Sequence, residues 1–202
     1  NGTIKPVPDR KAEVRASTCT EAMSLVRTRG CDVGFCFDGD ADRVLVITGK
    51  GTALSEDLVG ALFASHFLGT GETCVTAVNA SGLIEWACGN VGAHVSYCAV
   101  GQPAMGDALA QTRASFAYEE SGKYFFAGMQ LWSDGIFTAA KVLELMALQN
   151  KSIADLVSGF PEYHQVKRSL EVPSSFKDKT FENVLSLLKT RLLEEGCVDL
   201  TL

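Results

Sequence analysis

The chain has 202 residues, 18 Lys plus Arg against 24 Asp plus Glu, and a net charge of -6. With 47% apolar and 21% charged residues it has the composition of a folded protein with a sizeable core, which excludes a disordered polyanion. No dense Lys/Arg cluster offers a surface for nucleic acid, and no apolar run approaches the ~20 residues of a membrane span.

The opening N-G-T-I-K-P-V-P-D reads as loop, and T-C-T-E-A-M-S-L-V-R-T-R-G as a helix with Thr18 or Thr20 as N-cap and Gly30 past its end. Cys31 to Phe37 is a short apolar run and R-V-L-V-I-T a β-branched one that stops at G-K-G, so two strands are predicted with a loop between them. A helix at about Ser55 to Leu68 then precedes a strand at T-C-V-T-A-V. A helix from Ser81 to about Cys88 precedes H-V-S-Y-C-A-V, and P-A-M-G-D-A-L-A-Q-T leads to a strand at A-S-F-A-Y. A long helix runs from about Asp134 to Gln149. Strands separated by helices of this length predict an α/β fold: a mixed, mostly parallel sheet with helices on both faces.

Beyond that block, I-A-D-L-V-S-G-F-P reads as a short helix closed by Pro161 and Y-H-Q-V-K-R-S-L-E-V as a strand. F-E-N-V-L-S-L-L-K-T-R-L-L-E-E-G reads as an amphipathic helix, apolar at Val184, Leu187, Leu188 and Leu192. One complete domain, flanked by parts of two neighbours, is the expected organisation. The cysteines (Cys19, Cys31, Cys36, Cys74, Cys88, Cys98 and Cys197) form no C-x-x-C pair and mostly sit in apolar segments. They read as buried reduced thiols of a cytoplasmic protein, and no signal-peptide pattern opens the chain.

Residues 36 to 43, C-F-D-G-D-A-D-R, place Asp38, Asp40 and Asp42 at alternate positions of the first loop. Two such charges about 4 Å apart repel by roughly 4 kcal/mol at an effective dielectric near 20. A polar turn facing water relieves that repulsion, and so does a hard divalent cation, Mg²⁺ above all, because few carboxylates leave room for water or a phosphate oxygen. An EF-hand is excluded, since Arg43 and Gly49 stand where its loop needs Gly and Glu. A phosphatase of the haloacid dehalogenase type, with Asp38 as nucleophile, also places D-x-D behind an apolar strand. Arg43 either neutralises the aspartates locally or forks onto phosphate oxygens. Metal and guanidinium together point to phosphoryl transfer.

D-G-D-A-D-R resembles the metal loop of the α-D-phosphohexomutases, the family that includes phosphoglucomutase and phosphomannomutase. Y-E-E-S-G-K at 118 to 123 is similar to the family's sugar-recognition loop, G-E-x-S-G-H, with Tyr118 in place of Gly and Lys123 in place of His. V-G at Val100 and Gly101, D-G-I at 134 to 136, and N-G-T near the start are further landmarks. The resemblance implies that residues 1–51 are the latter part of the metal-loop domain, 52–160 the sugar-loop domain, and 161–202 the start of a phosphate-binding domain. It implies Mg²⁺ held by Asp38, Asp40 and Asp42, phosphate contacts from Arg43 and Lys123, and hydrogen bonds to a hexose phosphate from Glu119 and Ser121. The family moves phosphate between O1 and O6 of the sugar through a phosphoserine and a bisphosphorylated intermediate.

The T-A-S-H-N-P loop that carries that serine has no counterpart here, nor has the late R-x-S-G-T-E-P loop. F-A-S-H-F-L at 63 to 68 shares three letters with the first but has helical periodicity, so Ser65 and His66 are expected to be ordinary helix residues. The chain is therefore expected to be an inactive middle fragment that needs the missing domains of its own protein. A non-catalytic sugar-phosphate or metal-binding module is the remaining alternative.

Overall fold

Alternate residues of three neighbouring strands enter two different cores, and that alternation organises the molecule. The computed structural model describes residues 14–128, 132–165 and 177–195. A 3-10 turn, Ala16–Thr18, leads into α1 (Thr20–Arg29). Then follow β1 (Val33–Phe37), β2 (Val44–Thr48), α2 (Glu56–Phe67), β3 (Thr73–Ala77), α3 (Leu83–Val91), β4 (His94–Cys98) and α4 (Gln102–Thr112). β5 (Phe116–Glu119), β6 (Lys123–Phe126), α5 (Gly135–Gln149), α6 (Ile153–Val157) and α7 (Lys177–Glu194) complete the order.

The larger sheet runs β4-β3-β5-β6, with β3 parallel to β4 and β5, and β5 antiparallel to β6. On one face Cys74, Phe116, Tyr118 and Tyr124 join a core built with α2, α3, α5 and α6. On the other, Val75, Ala77, Ala117 and Phe125 pack against Met105 and Leu109 of α4. Both faces are covered, as the continuous apolar strands of a mostly parallel sheet require.

β1 and β2 pair antiparallel as a separate hairpin whose last pair is Phe37 with Val44. Val44 and Val46 of β2 enter the large core while Leu45 packs on Val14 and Cys19. The hairpin is therefore built into the same body as the larger sheet. By backbone contacts the chain divides into one unit ending at Tyr163 and a second beginning at His164.

Several expectations need correction. α1 is capped at Cys19, without a side-chain hydrogen bond, and not at Thr18 or Thr20; Thr18 instead closes the preceding turn by bonding to the Arg15 carbonyl. β6 was not foreseen. Of the cysteines, Cys19, Cys74 and Cys88 are buried, Cys36 and Cys98 half-buried and Cys31 exposed, all as free thiols. Ser65 and His66 do sit inside α2, His66 Nδ1 lying 2.9 Å from the Leu62 carbonyl. The N-G-T landmark, Cys197 and residues 166–172 of the expected late strand lie outside the described residues, and 163–165 carry no strand.

Candidate functional site

The hairpin loop 38–43 is shaped from outside by two glycines. Gly135, the first residue of α5, donates its N–H to the Ala41 carbonyl at 2.9 Å, and a Cβ there would lie 2.8 Å from the Arg43 carbonyl oxygen. Gly122, in the turn between β5 and β6, has φ +87° and accepts from the Val44 N–H at 3.0 Å. Within the loop the left-handed residue is Ala41, with φ 59°. Gly39, by contrast, has a φ that is not left-handed, and a Cβ there would meet nothing within 4 Å. A strained non-glycine residue among acidic groups is characteristic of a functional loop.

Asp38, Asp40 and Asp42 each offer an oxygen such that all three lie within 4.8 Å of one another, the only such set among the described residues. Asp38 Oδ1 accepts the Arg43 N–H at 3.2 Å. Arg43 Nε lies 3.6 Å from Asp38 Oδ2 and 3.8 Å from Asp42 Oδ1 without forming a hydrogen bond. Burial pushes the Asp38 carboxyl above its ordinary value; the Arg43 N–H works against this, and the charges of Asp42 and Asp40 add to it. Asp42 Oδ1 is buried with no hydrogen-bond partner. An orphaned buried carboxylate oxygen next to two further carboxylates is a donor set that fits a hard cation.

The second loop approaches from β5. Glu119 is buried, its Oε1 accepting from the Gly101 N–H and its Oε2 from Ser121 Oγ, both at 2.9 Å. Lys123, 8% exposed, donates to Asp42 Oδ2 at 2.6 Å and to Gln102 Oε1 at 2.7 Å. That ion pair joins the two loops across 81 residues of sequence.

Arg43, Glu119, Ser121 and Lys123 line one cleft of about 250 Å³, together with Arg15, Asn79, Val100, Gly101, Gln102 and Glu120. The aspartates are not among its lining. Asp40 and Asp42 border a second hollow of about 360 Å³ with Trp132, Ser133, Ile136 and Phe137. The acidic loop thus separates the two openings.

The 250 Å³ cleft lies beyond the carboxyl ends of β3, β4 and β5, where open α/β sheets bind ligands. That rule points to Asn79 and Gln102, which motif matching missed. Asn79 Nδ2 donates to Glu120 Oε2 at 3.2 Å. Glu120 stands inside Y-E-E-S-G-K at 118 to 123, whereas Arg15 carries no sequence signal at all.

Comparison with known proteins finds matches for both parts of the chain. Residues 55–163 match the family model "Phosphoglucomutase/phosphomannomutase, alpha/beta/alpha domain III", and residues 2–51 match the corresponding domain II. A phosphoglucosamine/phosphogalactosamine mutase of Sulfurisphaera tokodaii is 28% identical over 206 residues, covering 98% of this chain and 45% of that protein. The crystal structure of a phosphoglucomutase/phosphomannomutase family protein from Burkholderia thailandensis superposes with a TM-score of 0.69 at 26% identity, over 77% of this chain and 34% of that one. An Aspergillus fumigatus N-acetylphosphoglucosamine mutase in complex with GlcNAc-6P and magnesium shares the fold, with a TM-score of 0.54 at 16% identity over 63% of this chain and 35% of that one. The chain spans less than half the length of the curated relatives it matches. With a domain model covering more than half of its residues, the chain belongs to the phosphoglucomutase/phosphomannomutase family, the α-D-phosphohexomutases.

Proposed function

We propose that this chain supplies the metal loop and the sugar loop of a phosphohexomutase that moves phosphate between O1 and O6 of a hexose phosphate. Residues 1–51 belong, in this reading, to the metal-loop domain, 52–160 to the sugar-loop domain, and 161–202 to the start of a phosphate-binding domain. Asp38, Asp40 and Asp42 would hold Mg²⁺, the ion named with the Aspergillus fumigatus relative. Bound there, it supplies positive charge against phosphoryl oxygens.

The observation that carries the reading is the Lys123–Asp42 ion pair, which brings the acidic loop and the Glu119 loop to one place. Arg43 gives the cleft a planar, permanently charged donor for phosphate. The Lys123 ammonium spends two protons on Asp42 and Gln102 and keeps a third for a phosphate oxygen. Glu119 accepts from sugar hydroxyls, with Ser121 able to donate or accept. The phosphoserine lies on a part of the protein other than these residues, so we expect this chain to bind without turnover. Asp38 follows an apolar strand, as a nucleophile would, but its side chain is 8% exposed and tied to the Arg43 backbone, which argues against that role.

Calorimetric titration of glucosamine 6-phosphate in the presence of Mg²⁺ tests the reading. Wild type should bind, and Glu119→Gln should weaken binding about tenfold, the scale of one lost charge-assisted hydrogen bond. Asp40→Asn should abolish Mn²⁺ binding read by the free-ion electron paramagnetic resonance signal. Failure of the wild-type chain to bind any hexose phosphate, or mutase turnover by these 202 residues, would overturn it.

A further inference from the structure

The two oxygens of Asp42 have unlike surroundings. Oδ2 accepts from the Lys123 ammonium at 2.6 Å, while Oδ1 is buried without any hydrogen bond. Lys123 is itself held, since Gln102 Oε1 at the start of α4 accepts from the same nitrogen at 2.7 Å and only 8% of the side chain is exposed. A carboxylate pinned in this way has one oxygen left to give.

That asymmetry bears on which cation the loop prefers. Mg²⁺ takes six ligands in a tight octahedron and uses carboxylates through single oxygens, whereas Ca²⁺ takes six to eight and readily accepts both oxygens of one carboxylate. Here we propose that Lys123 is a selectivity-determining positioning residue: by keeping Asp42 Oδ2 in an ion pair it confines Asp42 to one-oxygen ligation through Oδ1, and so favours Mg²⁺ over Ca²⁺. The inference rests on the metal-loop reading above and adds a role for a side chain that does not itself touch the ion. Gln102 enters as the residue that keeps the ammonium from swinging away, which links the cation site to the 250 Å³ cleft that Gln102 and Lys123 both line.

The test is a ratio, because removing a positive charge strengthens the binding of both divalent ions alike. Mg²⁺ and Ca²⁺ are each titrated against Mn²⁺ bound to the 202-residue chain, with free Mn²⁺ read by its paramagnetic resonance signal. Lys123→Met keeps the stem and removes the donor; its preference for Mg²⁺ over Ca²⁺ should fall about tenfold relative to wild type. Lys123→Arg should keep the preference, and Arg43→Gln should raise both affinities with the ratio unchanged. An unaltered ratio in Lys123→Met, or an equal fall in Arg43→Gln, overturns the proposal. If wild type binds Mn²⁺ and lacks any preference, only the role of Lys123 falls; if wild type binds no Mn²⁺, the metal-loop reading falls with it.

A measurement on wild type keeps the question decidable should Lys123→Met fail to fold. The ¹⁵N–¹H signal of the Lys123 ammonium, identified by its absence from Lys123→Arg, should stay slowly exchanging when Mg²⁺ is added. Its loss on Mg²⁺ loading would show the ion pair broken and overturn the proposal.

Discussion

Gly39 and Gly135 both sit in short motifs that resemble those of the family, but their surroundings assign them opposite roles. A Cβ on Gly135 would lie within 3.0 Å of three backbone atoms of the 38–43 loop, none of which is the flexible end of a side chain. Gly135→Ala must therefore push α5 away from residues 41–43. We expect a loss of about 1–3 kcal/mol, the usual cost of overpacking. For a chain of this size that is roughly 2–4 °C of melting temperature for each kcal/mol. Gly39→Ala should melt within about 0.5 kcal/mol of wild type, because the added methyl meets nothing and the backbone is not left-handed. Thermal melts of the two variants side by side decide the matter, and an equal loss in both would refute the assignment. The glycine that a reader of D-G-D-A-D-R would pick is thus the dispensable one. The one that shapes the loop belongs to D-G-I, 96 positions on from Gly39, by a backbone approach that no local pattern encodes.

β5 is the element on which most of the cleft depends, and it is fixed from beneath by a buried polar contact. Tyr118, in the place where the family's loop has Gly, points its hydroxyl at Asp57 Oδ1, 2.9 Å away, while Asp57 Oδ2 accepts the Ser81 N–H at 3.2 Å. Burial, with the Asp57 charge adding to it, raises the Tyr118 phenol far above its ordinary value, so it remains a donor at every working pH. Tyr118→Phe leaves half of a buried carboxylate without its donor. Chemical denaturation should show a loss of about 1–3 kcal/mol, and the displaced strand should weaken sugar-phosphate binding through its neighbour Glu119. Unchanged stability would mean that water replaces the phenol. The strands before β5 were legible because each is a β-branched or aromatic run bounded by turn residues. β6 was not, since Lys123–Phe126 has only four residues, three of them buried, and so shows no alternation. The carboxylate triplet and the Glu119 loop were legible as motifs. Their connection through Lys123 was not, because it depends on β6 turning back antiparallel on β5.

In the unit that ends at Tyr163, carboxyl groups crowd together at the start of α2. Glu56 opens α2 close to Asp57 and Glu120, and burial raises its carboxyl above the ordinary value. Its own backbone N–H opposes the rise, the Glu120 and Asp57 charges reinforce it, and Arg15 partly offsets it. The folded chain therefore holds the Glu56 proton more tightly than the unfolded chain does. Below the ordinary carboxylate range both states are protonated and the group is neutral towards folding. As pH rises from that range through the raised value, the unfolded chain releases its proton first, so this group's contribution to stability declines and then stays low. Glu72 has the opposite sign: hydrogen bonds from Ser115 Oγ and the Gly69 N–H lower its carboxyl, so its contribution is present at neutral pH and is lost as pH falls through the lowered value. Glu56→Gln removes the first effect and leaves the second. Its melting temperature should exceed that of wild type at pH 8, and the two curves should converge near pH 3, where wild-type Glu56 is protonated in both states. A gain independent of pH would trace the benefit to packing, and no gain at pH 8 would show that Arg15 already offsets the crowding.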